Sequence, residues 1–138
     1  MKKFRKSAGG ILKHGDEGLL CKRGSKETLP NIWSIPGGGI ENGESPGQAA
    51  IREFKEETDI EINTDLDLVG IIDNFNDDGT KRGMMFVFLQ NTKDKKEPDL
   101  NKATHGHEHT SCKYFKLDDI PKQKEVEQLY DIIKKVLN

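Results

Sequence analysis

The sequence predicts an α/β fold in which a mixed β-sheet carries helices on its faces. Three observations lead there. Short strand-like segments outnumber helical ones, hairpin signals alternate with segments long enough to be crossovers, and two amphipathic helical patterns fall far apart in the chain.

From the N-terminus, Phe4 to Leu12 and Gly18 to Arg23 read as strands joined by a turn at Gly15-Asp16, a hairpin. Leu29 to Ile35 holds the single tryptophan, Trp33, and runs into Pro36-Gly37-Gly38-Gly39, which is expected to be loop. Ser45 then opens a helix as N-cap, with Pro46 at the first helical position and Gln48 completing a capping box. Ala50, Ile51, Phe54 and Thr58 fall on one side of that helix and face a core. Beyond Ile60 the pattern is extended, with Leu66 to Ile72 and the apolar run Met84 to Leu89 as strands, and Lys93 to Asn101 is a loop around Pro98. Ser111 to Leu117 is a further strand. Val126, Leu129, Tyr130, Ile133, Val136 and Leu137 recur at helical spacing, giving a C-terminal amphipathic helix that packs on the sheet.

The 138 residues are expected to form one domain, 1–138, large enough for a core without staples. A net charge of −2 argues against a polybasic nucleic-acid binder or an acidic disordered chain as a global description. The basic start, Met1 to Lys6, is not followed by an apolar segment, and no run approaches a membrane span, so a soluble cytoplasmic protein is expected. Cys21 and Cys112 match no metal spacing and read as reduced, small apolar residues.

Within this near-neutral chain, carboxylates concentrate on the capped helix and its approach. Five glutamates lie between Glu41 and Glu57, against Arg52 and Lys55. Glu53, Glu56 and Glu57 are spaced i+3 and i+4, so they repel one another on one helix face. Glu56 and Glu57 also sit at the negative end of the helix dipole. A helix selected for stability alone would carry lysine there. The pattern becomes favourable around a hard divalent cation such as Mg²⁺ or Mn²⁺, which prefers carboxylate oxygens. Gly37, Gly38 and Gly39 let the backbone approach that face closely.

Read as Gly38, five residues, Glu44, seven residues, then Arg52-Glu53-Phe54-Lys55-Glu56-Glu57-Thr58-Asp59-Ile60, this stretch resembles the signature of the Nudix hydrolases, the MutT-like family. The approach Pro30 to Gly39 and the passage His107 to Pro121 resemble the family as well. The resemblance implies a Nudix-type α/β/α sandwich, with the mixed sheet between helices, and a Mg²⁺-dependent hydrolase, Mn²⁺ being a possible substitute, that cleaves a pyrophosphate bond in a nucleoside diphosphate derivative. It implies metal binding by Gly38, Glu53, Glu56 and Glu57, orientation of the cluster by Arg52 with Glu44 behind it, and Glu53 as general base with Glu108 as runner-up. Asp59 stands where the family has Gly, so a left-handed stop there is expected to cost about 1 kcal/mol.

Some family members that cleave ADP-ribose carry a proline after the signature, and those that cleave diadenosine polyphosphates a tyrosine; Ile60 to Pro98 holds neither before Pro98. By elimination the expected substrate is a nucleoside triphosphate, cleaved to monophosphate and pyrophosphate. Arg23 is a candidate phosphate contact and Phe75 a candidate base-stacking ring. The expected partner is that small nucleotide, with no polymeric nucleic acid and no membrane. Three other readings stand beside this one: a zinc site in Thr104 to His109, a non-catalytic nucleotide-binding module on the same fold, and a prenyl diphosphate isomerase needing a catalytic cysteine in the pocket.

Overall fold

The computed structural model describes residues 3–27 and 29–138; Met1 and Lys2, part of the basic N-terminal segment, lie outside the described residues. β1 (Arg5–His14) and β2 (Glu17–Arg23) form the expected hairpin, turning at Gly15, whose φ of 60° is open to glycine. β3 (Trp33–Ser34) pairs with β2, and β4 (Gly37–Gly39) pairs with β1. α1 (Pro46–Thr58) leads to β5 (Asp67–Phe75) and β6 (Lys81–Thr92). A short 3₁₀ turn, Gly106–Glu108, precedes β7 (His109–Lys116), and α2 (Glu127–Leu137) closes the chain.

The sheet is mixed. β1 runs parallel to β6 from Arg5↔Gly83 to His14↔Thr92, while the β1–β2, β2–β7 and β5–β6 pairs are antiparallel. Strand alternation places neighbouring residues on opposite faces. Leu12 and Leu19 pack with Phe54 of α1, whereas Ile11 and Leu20 pack with Leu129, Ile133 and Leu137 of α2. The two helices therefore cover opposite faces, as expected. No helix among the described residues is long and apolar enough to cross a membrane.

Two expectations are corrected. The glycine run is not loop: Gly37, Gly38 and Gly39 form β4, in register with Gly9, Ala8 and Ser7. Glycine is a poor strand former by propensity, but here the space is decisive. A Cβ on Gly37 would lie 2.6 Å from the Ala8 carbonyl oxygen and 2.7 Å from the Gly9 Cα. The second correction concerns the cysteines, which are not free thiols but a disulfide. The β2–β7 register places Cys21 directly opposite Cys112, with Cα atoms 4.0 Å apart. Their sequence separation of 91 conceals that pairing in the sequence. Because the bridge closes so long a loop, reductant is expected to lower the unfolding free energy by about 2–4 kcal/mol. Urea unfolding with and without reductant measures this, and coincident curves would overturn it.

Candidate functional site

α1 sets the site. Ser45 accepts a hydrogen bond from the Gln48 amide at 3.1 Å and Gln48 Oε1 accepts one from the Ser45 amide at 2.8 Å, so the capping box forms as read. At the other end Asp59 takes the left-handed conformation, φ 64°, and its carboxylate meets Lys55 Nζ at 2.8 Å. The helix thus stops where a glycine is usual, with a local ion pair in compensation.

Arg52 organises the outer half. Nε and Nη2 donate to the two Glu44 oxygens at 2.7 and 2.9 Å, a bidentate fork. Nη1 donates to Glu53 Oε1 at 3.0 Å and Glu56 Oε2 at 3.1 Å, and Nη2 also reaches the Gly39 carbonyl at 3.0 Å. All the guanidinium N–H groups are thereby directed onto this cluster. The Arg52 hydrogen bonds hold the Glu44 carboxyl down at about 2. The same contacts raise Arg52 itself above its ordinary value, Glu44 being the main cause.

The inner half is Glu53 and Glu57. Glu57 is buried, its Oε2 accepting the Gly37 amide at 3.2 Å and its Oε1 lying 2.6 Å from His109 Nε2. Burial pushes the Glu57 carboxyl up to about 10, reinforced by its hydrogen bond to Glu53. Gly38 presses against Glu53: a Cβ there would lie 2.5 Å from Glu53 Cδ and 2.6 Å from each Glu53 carboxylate oxygen. Burial holds His109 neutral, its ring lowered to about 4.

Of the residues predicted from sequence, the structure brings Gly38, Glu53 and Glu57 together. It holds Glu56 to one side, between Arg52 and His105 Nδ1 at 3.3 Å. Glu108, at the end of the 3₁₀ turn, faces the same cavity as Glu53, and burial raises its carboxyl, with lesser contributions from Glu27 and Glu53. The cavity, about 660 Å³, runs from these carboxylates past Arg23, Arg5 and Lys124, with Ile35, Ile72, Met85 and Leu129 on its apolar wall. Arg23, the candidate phosphate contact, lies in the cavity wall. Phe75 is not among the lining residues, being half exposed at the end of the outer strand β5. His105 and His109 point different ways, to Glu56 and to Glu57, and among the described residues no three His, Cys, Asp or Glu side chains by themselves close on a metal. The zinc reading finds no support in this geometry. His109 is the residue sequence reasoning missed: it is 52 positions from Glu57, and no spacing joins them.

Compared with known protein families, residues 3–136 match the NUDIX domain. The chain belongs to the Nudix family. This Nudix domain is 29% identical over 111 residues to the 8-oxo-dGTP diphosphatase of Proteus vulgaris, covering 80% of this chain and 96% of that one. Nudix hydrolase 25 of Arabidopsis thaliana is 40% identical over only 57 residues, 41% of this chain and 31% of that protein. The crystal structure of a MutT NUDIX hydrolase from Burkholderia pseudomallei shares the fold, with a TM-score of 0.80 at 23% identity over 97% of this chain and 98% of that one. The Nudix hydrolase assignment and the α/β/α architecture read from the sequence are both borne out.

Proposed function

We propose that this Nudix hydrolase cleaves a pyrophosphate link in a nucleotide, a nucleoside triphosphate going to monophosphate and pyrophosphate, with Mg²⁺ or Mn²⁺ bound. The observation that carries this is the carboxylate cluster itself: Glu53 packed against Gly38, and buried Glu57 held by the Gly37 amide and His109. Neighbouring carboxylates repel one another unless a positive charge or donors offset them, and a cation would do so. An all-oxygen donor set suits a hard cation and not zinc. Glu53, Glu57 and the Gly38 carbonyl would hold it, with Glu56 at the edge. When bound, the ion neutralises phosphate oxygens that otherwise repel a nucleophile.

The chain supplies the rest. Arg23 and Arg5, in the cavity wall, bind the phosphates, and the apolar wall with Ile72 and Met85 receives the base. Arg52 orients Glu53 through Nη1, and Glu44 fixes Arg52 in turn. Glu53 takes a proton from water as the water oxygen bonds to phosphorus and the bridging P–O bond breaks. The diphosphatase named for the Proteus vulgaris relative acts on a nucleoside triphosphate, which supports that substrate class. A prenyl diphosphate isomerase is disfavoured because both cysteines are tied in the disulfide and neither lines the cavity.

The direct test is a panel of nucleoside triphosphates, dinucleoside polyphosphates and nucleotide sugars with Mg²⁺ and product identification. Monophosphate and pyrophosphate from a triphosphate are expected. Binding with no turnover of any panel member would favour the non-catalytic module instead.

The proton held by Glu57 has a second consequence. Unfolded, Glu57 and His109 titrate near 4.5 and 6.5; folded, near 10 and 4. Between 4.5 and 6.5 the pair holds one proton in either state and contributes no slope. Above 6.5 only the folded pair keeps a proton, so the stability of the metal-free chain falls as pH rises toward 10. In saturating Mg²⁺ Glu57 ionises and the decline disappears. Urea midpoints across this range, in chelator and in Mg²⁺, measure the effect; a flat profile in chelator would count against a protonated Glu57.

A further inference from the structure

The Glu57–His109 contact is not explained by packing. Both side chains are only 3% exposed. Among the described residues, His109 Nδ1 is the buried side-chain nitrogen or oxygen left without a hydrogen-bond partner. A core position that needed only volume would be filled better by leucine, which has no polar atom to leave bare. The ring is therefore kept for its bond to Glu57. Against an ionised carboxylate, which only accepts, Nε2 carries the proton and donates to Glu57 Oε1, 2.6 Å away. The Gly37 amide donates to the other oxygen at 3.2 Å. Two donors, one from β7 and one from β4, thus fix the plane of one carboxyl group.

His109 is itself well anchored. It begins β7, pairs with Arg23 of β2, and follows Glu108, whose carbonyl accepts the Gly24 amide at 2.9 Å. It does not line the cavity and so does not meet substrate.

We infer that His109 is a positioning residue, its Nε2–H orienting the Glu57 carboxylate for a divalent cation. This rests on the metal-dependent reading above. Hydrogen bonds to the carboxylates that ligate a metal set their orientation and basicity, and losing one typically costs 10–100-fold in metal affinity or activity.

The test compares His109→Leu, which fills the site without a donor, with His109→Gln, whose side-chain amide places an N–H near the Nε2 position. The probe is Mn²⁺ alone, titrated calorimetrically into the full chain, followed by kinetics on the nucleotide turned over fastest. His109→Leu is expected to weaken Mn²⁺ binding and lower kcat, each by about 10–100-fold, with KM unchanged at saturating metal. His109→Gln should stay within about threefold of wild type on both readouts, less than the loss of a ligand-orienting bond. Melting curves check folding, and His109→Met replaces the leucine variant if that one does not fold. A folded Leu or Met variant with wild-type Mn²⁺ affinity and kcat overturns the inference, as does a Gln variant as weak as Leu. Wild-type protein that neither binds Mn²⁺ nor hydrolyses any nucleotide overturns the metal-dependent reading together with this one, whereas the variant results overturn this one alone.

Discussion

Glu53→Gln is expected to lower kcat by about 10²–10⁴-fold, the range over which a positioned general base acts, while the folded structure and the nucleotide KM change little. The substitution is nearly isosteric, and the amide oxygen still accepts from Arg52 Nη1, 3.0 Å away in the wild type. What is lost is the ability to take a proton from water and one anionic oxygen of the set that would hold the cation, so rates are compared at saturating Mg²⁺. Glu108→Gln is the necessary companion, because Glu108 faces the same cavity and its carboxyl is raised, chiefly by burial. With Glu53 as base, Glu108→Gln should cost about tenfold or less, the smaller loss of a group outside the proton transfer. The reverse order of severity would transfer the base to Glu108. Equal and near wild-type rates for both variants would remove the base from this cluster altogether.

Arg52 explains how so many carboxylates coexist on one helix. Its fork pairs with Glu44, which lies before the helix, and its remaining donors bind Glu53, Glu56 and the Gly39 carbonyl. A lysine could match the charge but not five directed N–H bonds. Like-charge repulsion at i+3 and i+4 is thereby balanced on the outer side of the helix, while on the inner side Glu57 is held by the Gly37 amide and His109. The cluster is held in place by the chain's own donors.

The helix and its carboxylates were legible in the sequence because their information is local. Ser45, Pro46 and Gln48 specify a helix start within four residues, and the glutamate spacing specifies a face. Asp59 was legible for the same reason, its left-handed stop being a property of one residue and its neighbours. What escaped depended on strand register. Cys21 meets Cys112, and His109 meets Glu57, because β2 and β7 pair at one particular alignment, which periodicity does not encode. β4 escaped because composition and space disagree: glycine reads as loop, yet only glycine fits between β1 and the Glu53 carboxylate. Phe75 shows the opposite failure, an aromatic at an attractive position that the outer strand leaves beside the cavity rather than in it.

Gly38→Ala is expected to lower kcat by about 100-fold while leaving the melting temperature within a few degrees of wild type. Gly38 is not among the positive-φ glycines, so alanine brings no backbone strain. Its methyl would stand 2.5 Å from Glu53 Cδ, against the 3.4 Å or more of ordinary contact. The neighbour that must yield is the end of a flexible side chain, so stability is little affected. Glu53, however, is displaced by about 1 Å, enough to cost two orders of magnitude in a positioned reaction. The two flanking glycines supply the controls. At Gly37 the added methyl meets backbone, the Ala8 carbonyl at 2.6 Å and Gly9 Cα at 2.7 Å, so Gly37→Ala should lose stability as well as activity. At Gly39 it meets nothing within 4 Å, and Gly39→Ala should leave both nearly unchanged. Three adjacent substitutions of one methyl each thus have three distinct outcomes. A Gly38→Ala enzyme with full activity would show that Glu53 does not react from the position it holds against Gly38.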